Sequence, residues 1–106
     1  MPGSCQGVVQ GGEKASVLHS TLVRLQPDAQ PGRNIALVSG LPGNTVGVSG
    51  WVSEFSTINN HPNAGNATIR TSSVQLTNGG TQCRIEFEVD YVSPITCVVQ
   101  LIYGLA

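Results

Sequence analysis

Cys83-Arg84-Ile85-Glu86-Phe87-Glu88-Val89-Asp90-Tyr91 alternates without a break between apolar and charged side chains. A period of two puts Cys83, Ile85, Phe87, Val89 and Tyr91 on one face and Arg84, Glu86, Glu88 and Asp90 on the other. That is the pattern of a half-buried β-strand. Upstream, residues 67–77 run into Asn78-Gly79-Gly80, whose glycines favour a hairpin turn. Downstream, Val92-Ser93-Pro94 turns the chain into a further apolar strand over residues 95–103. An odd-length connection over 92–96 would continue a C-terminal β-meander, with Val99 opposite Val89, Leu101 opposite Phe87 and Tyr103 opposite Ile85.

Outward from this segment the signals remain those of strands. Residues 34–39 are a short apolar strand, and Gly40-Leu41-Pro42-Gly43-Asn44 is a turn. Residues 45–55 form a second strand interrupted by Gly47 and Gly50, positions that mark a bulge, a bend or a close backbone approach. Trp51 is expected to anchor the core. Residues 15–25 carry Ala15, Leu18, Leu22 and Leu25 at helical spacing, but Val17, Thr21, Val23 and the closing Pro27 favour a strand. Six to eight short strands punctuated by turns predict an all-β fold, an antiparallel sandwich or jelly roll. The chain divides into a flexible N-terminal arm over residues 1–12 and a single domain over 13–106.

Composition narrows the function. Of 106 residues, 40% are hydrophobic and only 10% charged, against roughly 25% in an average soluble domain. The cations are Lys14, Arg24, Arg33, Arg70 and Arg84, and the net charge is -1, which leaves no footprint for nucleic acid or an acidic membrane. No secretory signal is visible at Met1-Pro2-Gly3-Ser4-Cys5. Cys5, Cys83 and Cys97 are odd in number, so at most one internal bridge can form. Cys83 and Cys97 are expected as buried thiols, and Cys5, on its arm, as the candidate for an interchain disulfide.

The residues that carry chemistry stand apart from one another in the sequence. His19 and His61 are the only histidines, with no C-x-x-C or H-E-x-x-H near them. Glu86, Glu88 and Asp90 leave one strand face about 7 Å apart, too widely spaced to prefer a cation over water or a partner. Gly47-Val48-Ser49-Gly50 lacks the spacing of a nucleophile elbow. The chain is therefore expected to be no enzyme and to need no cofactor or metal.

Two functional classes remain. The first is a structural subunit acting through protein–protein packing, as a homo-oligomer or within a larger assembly. Its closest match in character is a small virus or phage component: capsid, capsid decoration, tail or fibre. Arg84, Glu86, Glu88 and Asp90 are its candidate interaction surface, and the expected location is a virion or the extracellular space. The second is an extracellular carbohydrate-binding, lectin-like module. Its candidate ligand loop is Asn59, Asn60, His61, Asn63 and Asn66, with Trp51 as a stacking platform.

Overall fold

The computed structural model describes residues 3–8, 18–56, 61–63 and 67–106. Among these residues eight strands follow in chain order: β1 (Gly3–Val8), β2 (Leu18–Arg24), β3 (Gly32–Ser39), β4 (Thr45–Ser56), β5 (His61–Asn63), β6 (Thr68–Thr77), β7 (Gln82–Asp90) and β8 (Cys97–Leu105). They build two four-stranded sheets, ordered β1-β3-β7-β6 and β2-β8-β4-β5, which pack as an all-β sandwich.

The alternating segment that decides the fold lies inside the first sheet. β7 pairs antiparallel with β3 on one side and β6 on the other. Its inward residues Cys83, Ile85, Phe87 and Val89 are all buried. The β6–β7 hairpin closes from Thr77 to Gln82 through a 3-10 turn at Asn78–Gly80. Gly79 and Gly80 hold φ of 68° and 89° there, a left-handed backbone that side-chain-bearing residues resist.

The C-terminal meander does not continue past this hairpin. β8 is not beside β7; it lies in the opposite sheet, between β2 and β4. The connection after Asp90 crosses from one sheet to the other, fastened where the Ile95 and Ala29 backbones exchange hydrogen bonds of 3.0 and 2.8 Å. The apolar sets expected to sit side by side therefore face each other across the core. Cys97, Val99, Leu101 and Tyr103 are buried from the second sheet against Cys83, Ile85, Phe87 and Val89 from the first. Cys83 and Cys97 are both buried and unbridged.

Residues 18–24 form a strand, as their β-branched content favours, and β2 pairs with β8 along its whole length. Both glycines of β4 have a local cause. The ladder to β8 shifts register between Thr45 and Gly47, and a Cβ on Gly50 would stand 2.9 Å from Leu101 Cδ2. Trp51, however, does not anchor the core. It leaves the outer face of β4, opposite Gln100, and the inward position beside it is filled by Val52.

The N-terminal segment also departs from expectation. Residues 3–8 of the expected arm are strand β1, paired in parallel with β3 from Gly3–Asn34 to Val8–Ser39. The inward face of β1 is Gly3, Cys5 and Gly7, small because it lies close to its neighbours. A Cβ on Gly7 would collide with the Val23 side chain, and one on Gly3 with the Asn34 amide. Asn34 is itself buried and fully engaged. Its Oδ1 accepts from the Gln30 N–H at 3.0 Å, and its Nδ2 donates to the Gln30 and Gly32 carbonyls at 2.8 and 3.0 Å.

The two lateral seams of the sandwich are stitched. On one side Gln6 and Gln26 exchange backbone hydrogen bonds of 2.8 and 2.9 Å between β1 and the residues after β2. On the other, the Val52 N–H of β4 donates to Thr71 Oγ1 of β6 at 3.0 Å.

Candidate functional site

Among the described residues the two outer faces differ in chemistry, and a shallow depression of about 600 Å³ opens at the seam between β1 and β2, lined by residues that include Gln6, Val8, Leu22, Arg24 and Pro27.

The outer face of the first sheet carries the expected charged row. Arg84, Glu86, Glu88 and Asp90 leave β7 on its solvent side, and neighbouring strands supply partners. Arg33 of β3 lies 3.6 Å from Glu86, Arg70 of β6 lies 3.8 Å from Glu88, and Arg84 pairs with Glu86. Arg33, Glu88 and Arg70 stand in one cross-strand row. The shallow depression between them, about 410 Å³, is lined by Arg33, Ile35, Arg70, Ser72, Glu86 and Glu88. Each carboxylate here except Asp90 already has an arginine, so the face is a largely self-neutralised ion-pair lattice. Exposed pairs of this kind contribute at most about 1 kcal/mol each.

The outer face of the second sheet sets four exposed apolar side chains among serines and a glutamine. Its rows follow from the register of β2, β8 and β4: Arg24–Val98–Ser53, then Leu22–Gln100–Trp51, then Ser20–Ile102–Ser49, then Leu18–Gly104–Gly47. Leu18 is 66% exposed, Leu22 48%, Trp51 45% and Ile102 36%. The one charge in these rows is Arg24, at the end. Its guanidinium reaches the Phe55 ring, 5.5 Å to the centroid, and Val98 in the same row is buried although it points outward. At the opposite end Gly104 and Gly47 stand next to each other, without side chains of their own, beside the exposed Val46. A Cβ on Gly47 would meet nothing within 4 Å.

Sequence reasoning missed this face, although a signal was present. β8 carries large apolar residues on both parities, Val98 and Ile102 as well as Val99, Leu101 and Tyr103. β2 likewise sends Leu18 and Leu22 outward while Val23 points inward. A strand apolar on both sides has two surfaces to cover.

The other expected site residues do not converge. Asn59, Asn60 and Asn66 lie outside the described residues. His61 and Asn63 sit in β5, paired through the backbone with Ser56 and Glu54 of β4. His19 is buried in the core, its ring stacked on Tyr103 with centroids 5.3 Å apart. Among the described residues no group of three or more His, Cys, Asp or Glu side chains is placed to hold a metal ion.

Cys5 is not displayed on an arm. It is 1% exposed beneath β1, and burial, reinforced by the Asp28 carboxylate, pushes its thiol pKa up. Burial raises Cys83 to about 11. Cys97 rises to about 12, first through burial and then through the nearby Cys5, Glu54 and Asp28. A thiol that is neutral and covered attacks no disulfide, so none of the three is a ready interchain bridge in the folded chain.

Comparison with protein-family models, curated proteins and solved structures finds no match to this chain.

Proposed function

We propose that this chain is a non-enzymatic assembly subunit that works by packing its apolar sheet face against protein. The observation that carries this reading is the outer face of β2, β8 and β4, where four large apolar side chains stand exposed and the single charge lies at the margin. Exposed large apolar side chains gathered on one sheet face favour a contact site in a small domain. The low charge of the whole chain extends the reading to a packed setting, and the class that fits it best is a capsid, decoration, tail or fibre component of a virus or phage particle. Sedimentation velocity at increasing protein concentration tests the packing reading directly. Masses above 11.0 kDa that grow with concentration are expected, and a monomer throughout would overturn it.

A second reading is favoured by Trp51 alone. Its exposed ring stands among Ser49, Ser53 and Gln100, a stacking plane with polar neighbours that would suit a sugar. Titration with mono- and oligosaccharides while following tryptophan fluorescence decides it, because Trp51 is the only tryptophan. A saturable emission shift supports a glycan platform, and an unchanged spectrum removes it.

A further inference from the structure

We infer that the occupant of the apolar face is a second copy of this chain, docked about a two-fold axis that crosses the strands at the level of Ile102. The inference rests on the packing reading above and names its partner.

The relief of the face is self-complementary. A two-fold axis lying between two facing sheets, across their strands, exchanges the rows on either side of it. With the axis over the Ser20–Ile102–Ser49 row, the Leu22–Gln100–Trp51 row of one copy meets the Leu18–Gly104–Gly47 row of the other. Trp51, the largest projection, then falls on the bare backbone at Gly47, and Gln100 on that at Gly104. Leu22 meets Leu18, and Ile102 meets its own symmetry mate between the short side chains of Ser20 and Ser49. Arg24 sits outside the overlap, so no charge is buried without a partner.

The dimensions set the strength. Three strands about 4.8 Å apart and the four residue steps of about 3.4 Å from Leu18 to Leu22 give a footprint of roughly 15 by 14 Å per copy. Closing two such faces, with relief that roughly doubles the flat area, buries on the order of 800 Å², below the roughly 1,200 Å² of stable complexes and in the range of weak, transient contacts. A dimer that assembles and dissociates with dilution follows, not an obligate one.

The decisive variants are Gly47→Glu and Gly43→Glu. A side chain at either position meets nothing within 4 Å in the single chain, and neither glycine holds a positive φ, so both should fold. Gly47→Glu fills the depression with a charge against Trp51, while Gly43→Glu adds the same charge in the turn before β4, off the face. Circular dichroism first checks that both variants keep the strand spectrum and melting temperature of the parent.

Sedimentation velocity is then run from about 1 to 200 µM, spanning the weak-association range. The parent and Gly43→Glu are expected to move from 11.0 kDa toward twice that mass, with Gly47→Glu at least about tenfold weaker in association. The parent's tryptophan emission should move to shorter wavelength as it associates, and that of Gly47→Glu should not. Association equal in Gly47→Glu and Gly43→Glu overturns the face while leaving the packing reading intact. A parent monomeric at every concentration overturns both, and a monomer whose emission responds to sugar assigns the face to a glycan instead.

Discussion

Gly3→Ala is the sharpest small perturbation this fold offers, because it tests the seating of β1 through one methyl group. The new Cβ would sit on top of Asn34 Oδ1, 3.0 Å from Asn34 Cγ and 3.2 Å from Gln30 Cβ. The least expensive escape is for the Asn34 amide to rotate away. That forfeits its bonds to the Gln30 N–H and to the Gln30 and Gly32 carbonyls. At about 1 kcal/mol net for each, and with the carbonyls partly open to water, the loss is roughly 2–4 kcal/mol. The alternative, lifting β1 away from β3, gives up a six-residue parallel ladder and the burial of Cys5, and should cost no less. With a urea m-value of about 1.5 kcal/mol/M, the midpoint should fall by roughly 2 M. The cycle is completed in an Asn34→Ala background, where the colliding amide is gone. There Gly3→Ala should cost less than about 1 kcal/mol, a coupling of at least about 1–2 kcal/mol between two residues 31 positions apart in sequence. A cost below about 0.5 kcal/mol in both backgrounds would falsify the placement of β1 on β3. Equal large costs in both would show that Gly3 answers to the backbone and not to Asn34.

Three further outcomes follow from the same packing. The native thiols should resist alkylation at pH 8 and react fully in denaturant, and non-reducing electrophoresis should show no disulfide-linked dimer from folded protein; rapid labelling of Cys5 would contradict its burial. Because the folded thiols hold their protons more tightly than the ordinary value of 9.0, their contribution to stability is complete below pH 9. It is lost as pH rises through 9 toward 11–12, at about 1.4 kcal/mol per pH unit for each titrating thiol, and urea midpoints from pH 8 to 11 should trace that decline. Phe87→Ala, at a wholly buried position, should cost about 3–5 kcal/mol, whereas Arg70→Ala, which removes an exposed ion pair, should change stability by less than about 1 kcal/mol. Comparable effects from the two would mean that the outer charges hold the first sheet more than its core does.

Much of this architecture is legible in the residues because alternation reports which side of a strand is buried. The strand from Gln82 to Asp90, the glycine turn before it and the strand character of Leu18–Arg24 are each set by local chemistry. What alternation does not carry is the identity of the neighbour. Ile85 and Leu101 are buried whether β7 and β8 lie edge to edge or face each other from opposite sheets, so the crossing at Ile95 was not readable. β1 escaped for another reason. Its inward residues are Gly3, Cys5 and Gly7, selected for closeness to Asn34 and Val23, and small residues leave no hydrophobic signal. Trp51 was assigned to the core by size alone. Parity with Val52, one position on, places it outside, and the charged row on β7 drew attention to the face that is already satisfied.

The scarcity of charge takes on a different meaning once the seams are seen. In a sandwich with open edges, few lysines would leave unpaired backbone exposed, and association would be needed to cover it. Here the Gln6–Gln26 backbone pair closes one side, and Thr71 receives Val52 on the other. The β6 strand also shifts register between Thr71 and Ser73, an irregularity that spoils it as a template for another strand. The two outer faces differ in what contact with a partner would cost. On the first sheet Arg33, Arg70 and Arg84 already engage Glu86 and Glu88, and a partner would have to displace those pairs. On the second, Leu18, Leu22, Trp51 and Ile102 lose only water on contact. On the packing proposed above, the second sheet's outer face, and not the ion-paired face of the first, is the surface a partner would meet.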